Sequence, residues 1–262
     1  MRVLHGDFET RSACDLKKAG ADAYARHHST DILCFGFRFD NGPKQLIRYG
    51  EPLPEEVRQH ILNGGMFKAQ NAPFELLIWE HVCVPKYGWP ELKPEQSHCT
   101  MAQCYAMSLP GALENSAPAL GITHQKDMAG NRIMLQLSKP KKITEDGQPV
   151  FHLYDEVPEK FEKTYDYCLT DVDVEAEVDK RTVPLSEKER AVWLLDYKIN
   201  RRGIFVDLEA IKNAIEIVES ETDRLNKEMR EVTNNSVGTC KAIGQLTDWM
   251  KIHGVETNSV DK

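Results

Sequence analysis

The chain has 262 residues, 41% of them hydrophobic and 28% charged, a composition typical of a folded globular protein. Its 41 acidic residues outnumber its 33 basic ones, and the formal net charge of -8 argues against a duplex-DNA binder with a broad basic face. A centre of four carboxylates that holds two divalent cations stays compatible with this charge. No apolar run approaches the roughly 20 residues of a membrane helix, so we expect no membrane segment.

The seven cysteines are scattered and form no C-x-x-C pair, which is typical of reduced thiols in a cytosolic protein. His98, Cys99 and Cys104 come closest to a zinc motif, but no second pair of ligands follows them, and we expect no zinc there. The first acids follow Met1 so closely that a secretory signal has no room before them. We therefore expect a cytoplasmic location.

Short apolar runs bounded by turn residues predict the strands of a sheet. The first two, "RVLHGDFET" and "DILCFGFRFD", flank a polar segment and make a hairpin-like start. "KQLIRYG" and, further along, "MFKA" are shorter strands. Because helical patterns are mixed with these strands, we predict an α/β fold with a mixed β-sheet flanked by helices.

The first predicted helices lie on either side of the "MFKA" strand. Apolar residues at helical spacing predict one in "PLPEEVRQHILNGG". Pro73 suits the first turn of the next, in "QNAPFELLIWEHV". "CTMAQCYAMSLPGALENSAPALGI" then predicts two short helices broken at its Pro-Gly pair.

The later part of the chain becomes helical after an irregular stretch. "NRIMLQLSKPKKITEDGQP" is predicted to be a less regular, partly basic connection. A long helix begins near Pro158. A boundary follows near "TVPLSEKER", so we predict two domains, residues 1–185 and residues 186–262.

The second domain is predicted to be a helical hairpin tail. Ser186 and Glu189 form a capping box at the start of its first helix, and Gly203 is a suitable stop. Asp207 can cap a long amphipathic second helix. "TCKAIGQLTDWMKIHG" predicts one more helix.

Two acids on the first strand are the first candidate site. Side chains alternate along a strand, so Asp7 and Glu9 point to one face while Leu4 and Phe8 point to the other. The two carboxylates can therefore converge on one cation. Taken alone, the same pair also fits an ordinary exposed strand end.

Three further side chains have candidate roles. Glu75 lies in the first turn of the helix after "MFKAQN", at the edge of the predicted sheet. Tyr167 and Asp171 are four residues apart and share one face of the long helix. Each of these also has an ordinary explanation, as a helix-start acid or a surface pair.

The combination is more specific than its parts. Hydrolysis of a phosphodiester by two metal ions needs several carboxylates that hold the cations about 3.5–4 Å apart. A strand-borne D-x-E, a later acid preceded by "QN" and a helical Y-x-x-x-D occur here in order. This order resembles the three motifs of the 3′-to-5′ exonucleases of the DEDDy type, which share an RNase H-like fold.

The resemblance extends beyond the motifs. "DFETRSACDLKKAGADAYARH" and "CTMAQCYAMSLPGAL" are similar to the N-terminal exonuclease region of phage-type family A DNA polymerases. "LLDYKINRRGIFVD" and the helix after it are similar to the segment that leads into the polymerase thumb. Residues 1–185 would then be the exonuclease domain, and residues 186–262 the start of a truncated thumb. If the protein is phage-encoded, the expected location is the host cytoplasm.

The resemblance also implies roles for individual residues. The metal ligands would be Asp7, Glu9, Glu75 and Asp171, which would hold two divalent cations, Mg²⁺ or Mn²⁺. Tyr167 would orient the attacking water through its hydroxyl group.

Further residues would contact the substrate. By the same resemblance, Thr10, Gln70 and Asn71 match positions that contact the terminal nucleotide. Phe8 and Tyr24 are candidates for stacking on unpaired bases, with core packing as the alternative.

The implied activity is metal-dependent removal of nucleotides from the 3′ end of single-stranded or frayed DNA, as in proofreading during DNA replication. The remaining domains of a parent polymerase would be the protein partner, because no palm or fingers domain is expected within these 262 residues. One departure is Glu75, since the family's second motif commonly ends in Asp. Two alternatives stay open: an exoribonuclease acting on RNA, and an inactive DNA-binding or structural module of a polymerase.

Overall fold

The computed structural model describes residues 2–123, 128–257 and 259–260. These residues divide into two compact units, Met1–Arg202 and Gly203–Lys262. The division falls after the helix Glu187–Arg202, which therefore belongs to the first unit, whereas the predicted domain boundary lies before it. Within the described ranges, no helix combines the length and the apolar character needed to cross a bilayer.

The first unit is built on a mixed five-stranded sheet. Its order is β3-β2-β1-β4-β5. The long central strand β1 pairs antiparallel with β2 and parallel with β4, so the hairpin-like start and the mixed sheet predicted from the sequence are both confirmed. The five strands are β1 Val3–Arg11, β2 Asp31–Phe39, β3 Gln45–Arg48, β4 Met66–Ala69 and β5 Ser97–Cys99.

Helices connect the strands and flank the sheet. A π-helical turn, Trp79–Cys83, joins α4 to α5, and the two short helices predicted on either side of Pro110 are confirmed as α6 and α7. The helices up to this point are α1 Leu16–Ala19, α2 Ala21–Arg26, α3 Glu55–Leu62, α4 Ala72–Ile78, α5 Val84–Tyr87, α6 Thr100–Ala106 and α7 Leu113–Ala119.

The stretch predicted as a less regular connection contains a helix and a short hairpin, which the sequence did not predict. Helix α8 spans Met128–Leu137, and a small hairpin of β6 Lys142–Ile143 and β7 Pro149–Val150 follows it. Leu137 is 1% exposed and belongs to the same core cluster as Phe161. Burial against the next helix therefore stabilises α8.

The long helix α9, Pro158–Arg181, crosses the sheet against β1 and β2. It begins at the predicted proline. The two faces of β1 have different partners: Leu4 and Phe8 are buried in one core cluster with Trp79, while the opposite face lies under α9. The face under α9 carries the candidate site residues.

The remaining helices follow their capping residues. In α10, Glu187–Arg202, the Ser186 hydroxyl and the Glu189 backbone and carboxylate form the predicted capping box. In the second unit, the Asp207 carboxylate accepts a hydrogen bond from the Ala210 N–H at 2.9 Å at the start of α11, Leu208–Val232. Helix α12 spans Ile243–Ile252. The predicted helical character of the C-terminal part is confirmed.

Candidate metal centre

Strand β1 places Asp7 and Glu9 on the face that packs under α9. In the antiparallel register, Asp7 lies opposite Gly36 and Glu9 opposite Cys34. A side chain at Gly36 would bring its Cβ within 2.8 Å of the Cys168 Sγ on α9. The glycine therefore allows the helix to pack closely over the two acids. Glu9 is 6% exposed, so the predicted exposed strand end does not describe it.

Glu75 reaches the same region from a different element. It lies in the first turn of α4, which begins after Asn71 in the left-handed conformation (φ 58°) and has Pro73 at its start. Glu75 is 3% exposed, and its buried Oε2 has no hydrogen-bond partner among the residues that the structure describes. A buried carboxylate oxygen without a partner is unfavourable unless a cation or a proton neutralises it.

Tyr167 and Asp171 approach from α9. They lie one turn apart on one face of the helix, and the Asp171 carboxylate is near enough to the Tyr167 hydroxyl to raise its pKa. Burial of the phenol, together with the negative charges of Asp171, Glu9 and Asp7, raises the pKa of Tyr167 far above its ordinary value. The hydroxyl therefore stays protonated at neutral pH.

The four predicted carboxylates are brought together. Burial raises the pKa of Glu9 well above its ordinary value, and the charges of Asp7, Asp171 and Glu75 add to this effect. Burial followed by the charge of Asp7 raises the pKa of Glu75, which its own backbone N–H partly opposes by hydrogen bonding. Carboxylates that disfavour one another's ionisation in this way lose that penalty when cations bind between them. Their oxygens are the ligands that Mg²⁺ and Mn²⁺ prefer, so the donor set fits these ions.

Cys168 also lies at this centre. Potential ligand atoms of Asp7, Glu9 and Cys168 all lie within 4.8 Å of one another. A hydrogen bond with Cys34 and burial raise the pKa of the Cys168 thiol well above its ordinary value, and its Sγ donates to the Asp7 carbonyl at 3.4 Å. The protonated thiol thus links α9 to β1 through this hydrogen bond. The sequence analysis missed this residue, although its position three residues before Asp171 places it on the same helical face.

A buried pair next to the acids was also missed. His5, two residues before Asp7, has its Nδ1 2.7 Å from Oε2 of Glu175 on α9. Both side chains are at most 6% exposed. One turn further along α9, Asp179 pairs with Lys68 of β4 at 2.6 Å. These contacts join α9 to β1 and β4 beside the centre and so determine where Asp171 lies.

A cavity of about 740 Å³ opens beside Glu9 and Thr10. Exposed apolar side chains and lysines share its wall, including residues of α8 and the basic "SKPKK" stretch. The wall comprises Phe8, Glu9, Thr10, Ser12, Ala13, Cys14, Asp15, Leu16, Lys17, Tyr24, Phe74, Met134, Leu135, Ser138, Lys139, Pro140, Lys142 and Ile143. Its volume lies within the roughly 300–1,000 Å³ typical of sites for small organic ligands.

The three residues predicted to contact substrate have different positions. Thr10 lines this cavity, and its Oγ1 lies 2.8 Å from the Tyr24 hydroxyl. Gln70 accepts a hydrogen bond from the Thr100 hydroxyl at 2.7 Å and donates to the Gly111 carbonyl, so its amide is engaged within the protein. Asn71 is exposed at the start of α4. Neither Gln70 nor Asn71 is among the residues that line the cavity.

The two aromatic candidates are mainly packed inside. Phe8 is 5% exposed, with its ring centroid 4.4 Å from that of Phe35. Tyr24 is also 5% exposed, and burial raises the pKa of its hydroxyl to about 12. Both residues line the cavity, but their deep burial agrees with core packing as their main role.

Comparison with known proteins gives one similarity over the whole chain. The chain is 35% identical over 268 aligned residues to a protein described as "DNA polymerase" from Bacillus phage SP02. The alignment covers 100% of this chain and 40% of that relative, so the chain spans about two fifths of the relative's length. No protein-family model matches the chain. The similarity therefore runs through both compact units.

Proposed function

We propose that the acidic centre hydrolyses phosphodiester bonds at the 3′ end of single-stranded or frayed DNA and releases nucleoside monophosphates. The observation that carries this proposal is the convergence of Asp7, Glu9, Glu75 and Asp171 from three elements, with the Tyr167 hydroxyl beside them. Such a carboxylate set serves phosphodiester hydrolysis with two metal ions. The 3′ polarity rests on the resemblance of the motifs to DEDDy exonucleases.

The similarity to the phage DNA polymerase supports a role associated with a DNA polymerase. In this proposal, residues 1–185 act as a proofreading exonuclease domain, and residues 186–262 correspond to the start of a polymerase thumb. The partners are the single-stranded 3′ end and the remaining domains of a parent polymerase. A phage-encoded protein of this kind acts in the host cytoplasm during DNA replication.

Cation binding is assigned to the four carboxylates. Asp7, Glu9, Glu75 and Asp171 would hold two divalent cations, Mg²⁺ or Mn²⁺, which when bound supply activation of water and charge stabilisation of the leaving oxygen. Glu75 is one methylene longer than the Asp common at this position. Its buried Oε2, which lacks a partner among the described residues, is the group best placed to gain from a cation.

The role of Tyr167 follows from its position beside Asp171, Glu9 and Asp7. Its phenolic oxygen carries lone pairs that can accept a hydrogen bond. Because the pKa of the hydroxyl is raised, Tyr167 stays neutral and does not act as the base. It can accept a hydrogen bond from the attacking water and hold that water in line with the phosphorus atom.

The cavity beside Glu9 is the proposed place for the end of the strand. Its volume of about 740 Å³ is that of a site for a small organic ligand, so we expect an unpaired terminal nucleotide to enter it rather than a duplex. Leu16 and Leu135 offer apolar surface to a base. Lys17 and Lys139 offer positive charge to the backbone.

The decisive experiment is a digestion of single-stranded DNA read at single-nucleotide resolution. Oligonucleotides labelled at either end are incubated with Mg²⁺, with Mn²⁺ or with EDTA. A ladder that shortens from the 3′ end only when a divalent cation is present supports the proposal. The variant Asp7→Asn with Glu9→Gln should abolish the ladder, because it removes two anionic ligands without removing volume. Asp166→Asn is the matched control, since Asp166 is an exposed carboxylate beside Tyr167 on α9.

Other outcomes would overturn the proposal. A matched RNA oligonucleotide degraded faster than DNA would make the substrate RNA, because only contacts to the 2′-OH distinguish the two polymers at such a site. If the protein binds the DNA oligonucleotide but does not cleave it in Mn²⁺, it is an inactive binding module. Full activity in the double variant would place the chemistry elsewhere.

A further inference from the structure

Arg11 is largely buried, and none of the acidic residues in the described part of the chain forms an ion pair with it. Arg11 ends β1, two residues after Glu9, and is 8% exposed. Its Nε is fully buried and has no hydrogen-bond partner among the residues that the structure describes. Its contacts are with two rings: the guanidinium carbon lies 4.4 Å from the ring centroid of Tyr49 and 5.1 Å from that of Phe151.

Aromatic stacking alone does not balance this burial. A buried charge is costly unless it is paired and hydrogen-bonded, and stacking on a ring offsets only part of that cost. Native proteins leave few buried polar groups unpaired, and an unpaired one commonly marks a place for a bound ion or water. Among the described residues, the Arg11 Nε therefore has no hydrogen-bond acceptor, and a bound anion would supply one.

The carboxylates beside Arg48, those of Glu51 and Glu162, are engaged by other groups. The Glu51 carboxylate accepts the backbone N–H of Arg48 at 2.7 Å. The Glu162 carboxylate accepts the Tyr154 hydroxyl at 2.7 Å and a longer, 3.4 Å contact from the Arg48 guanidinium. Neither carboxylate pairs with Arg11 in the described contacts.

Arg11 lines a cavity of about 210 Å³ that contains a second arginine. Arg48 lies at its wall, with its guanidinium carbon 5.2 Å from the ring centroid of Tyr165. The wall holds two guanidiniums and the Glu51 carboxylate, and Glu162, outside the wall, contacts Arg48 at 3.4 Å. The wall of the cavity comprises Arg11, Arg48, Tyr49, Glu51, His152, Leu153, Tyr154, Phe161 and Tyr165.

We propose that Arg11 and Arg48 form a binding pocket for one phosphate group, distinct from the acidic centre. A guanidinium presents its donors as a planar fork that matches the oxygens of a phosphate, and Tyr49 and Phe151 hold the Arg11 fork in place. The cavity is smaller than the roughly 300–1,000 Å³ of sites that enclose whole organic ligands, so it accepts a single phosphate rather than an entire nucleotide. The phosphate is carried by a nucleic-acid strand or is free in solution.

Binding measurements on the full chain in EDTA test the pocket. The first probe is inorganic phosphate, titrated by calorimetry against chloride at equal ionic strength. The second is a single-stranded oligonucleotide, followed by fluorescence anisotropy over a range of salt concentrations. Arg11→Met keeps the length of the side chain and removes its charge. Arg48→Met does the same at a side chain that is 47% exposed, where a failure to fold is not expected.

The matched control is Arg2→Met, because Arg2 also stacks on a ring, 3.7 Å from the centroid of Phe39, but lies outside the cavity. Loss of a charge-assisted hydrogen bond predicts phosphate binding about tenfold or more weaker in Arg11→Met and in Arg48→Met, with Arg2→Met unchanged. If a strand supplies the phosphate, the same two variants also bind the oligonucleotide more weakly, and the slope of log K against log salt falls by about 0.7. If the two variants weaken the binding of inorganic phosphate but not that of the oligonucleotide, the ligand is the free anion.

The proposal is overturned if phosphate and oligonucleotide bind equally to the wild type and to both cavity variants. It is also overturned if Arg2→Met weakens binding as much as they do. Because no divalent cation is present and no cleavage is measured, these results are independent of whether the acidic centre hydrolyses DNA. A digestion with Mg²⁺ gives that answer separately.

Discussion

Replacing His5 with alanine is predicted to destabilise the first unit strongly. His5 Nδ1 lies 2.7 Å from Oε2 of Glu175, and the two side chains are 6% and 3% exposed. The other oxygen of Glu175, Oε1, is already buried without a partner among the described residues. His5→Ala would leave a buried carboxylate with no described hydrogen bond to either oxygen.

The magnitude follows from that loss. Leaving a buried acidic side chain without its one described hydrogen-bond partner costs about 3–5 kcal/mol. In a unit of about 200 residues, each kcal/mol lowers the melting temperature by about 2–4 °C, so His5→Ala should lower it by about 6–20 °C. Glu175→Gln removes the charge but keeps an oxygen for His5, so it should cost about 1 kcal/mol. Replacing both residues by leucine removes the buried polar groups together and should recover most of the loss.

Urea unfolding followed by far-ultraviolet circular dichroism measures these differences in the free energy of unfolding. The four proteins, wild type, His5→Ala, Glu175→Gln and the double leucine variant, form one comparison with a common slope. A midpoint for His5→Ala that equals that of Glu175→Gln would refute the reasoning. It would mean that water reaches Glu175 and replaces the histidine.

Three other changes test the centre itself. Tyr167→Phe should lower kcat about tenfold to a hundredfold while leaving the Mg²⁺ affinity unchanged, since it misplaces the water but removes no ligand; unchanged kcat would contradict this role. Burial raises the pKa of Glu9 and Glu75 above the ordinary 4.5, so these groups favour the folded state below that pH, and their contribution is lost as the pH rises through the raised values. The melting temperature measured in EDTA should therefore fall from about pH 4 to about pH 8. Glu75→Gln should make this fall smaller, and Mg²⁺ should reverse it. Gly36→Ala would place a Cβ 2.8 Å from the Cys168 Sγ, and urea unfolding should show a loss of about 1–3 kcal/mol that Cys168→Ala partly restores.

Patterns within short sequence segments predicted most of the strands and helices, because interactions within those segments determine them. Alternation along β1 and the proline at the start of α9 are properties of short segments. Helix α8 was missed for the opposite reason. Its Leu135 is 50% exposed, whereas Leu137, two residues further on, is buried in the core cluster of Phe161. That burial depends on a contact with another helix, which the segment alone does not reveal.

The candidate site shows the same division. Spacing alone placed Asp7 with Glu9 on one strand face and Tyr167 with Asp171 on one helical face. The partner of His5 is 170 residues away, and no periodicity connects them. The Arg11 pocket likewise joins a strand end to rings from two distant loops. Contacts of this kind follow from the packed fold and not from the local sequence.

The packing of α9 on β1 explains why these features lie side by side. Along β1 from His5 to Arg11, the contacts on α9 run in the reverse direction, from Glu175 through Asp171 to Tyr165. One strand and one antiparallel helix thus carry a buried pair, an acidic centre and an arginine-lined pocket in sequence. Two residues of strand span about 7 Å, which places the proposed phosphate close to the bond that the acidic centre would cleave. If a phosphate of the DNA strand occupies the pocket, Arg11→Met removes the contact with that phosphate. The variant should therefore have a higher KM for the strand and a nearly unchanged kcat, because the phosphate positions the substrate without taking part in the reaction.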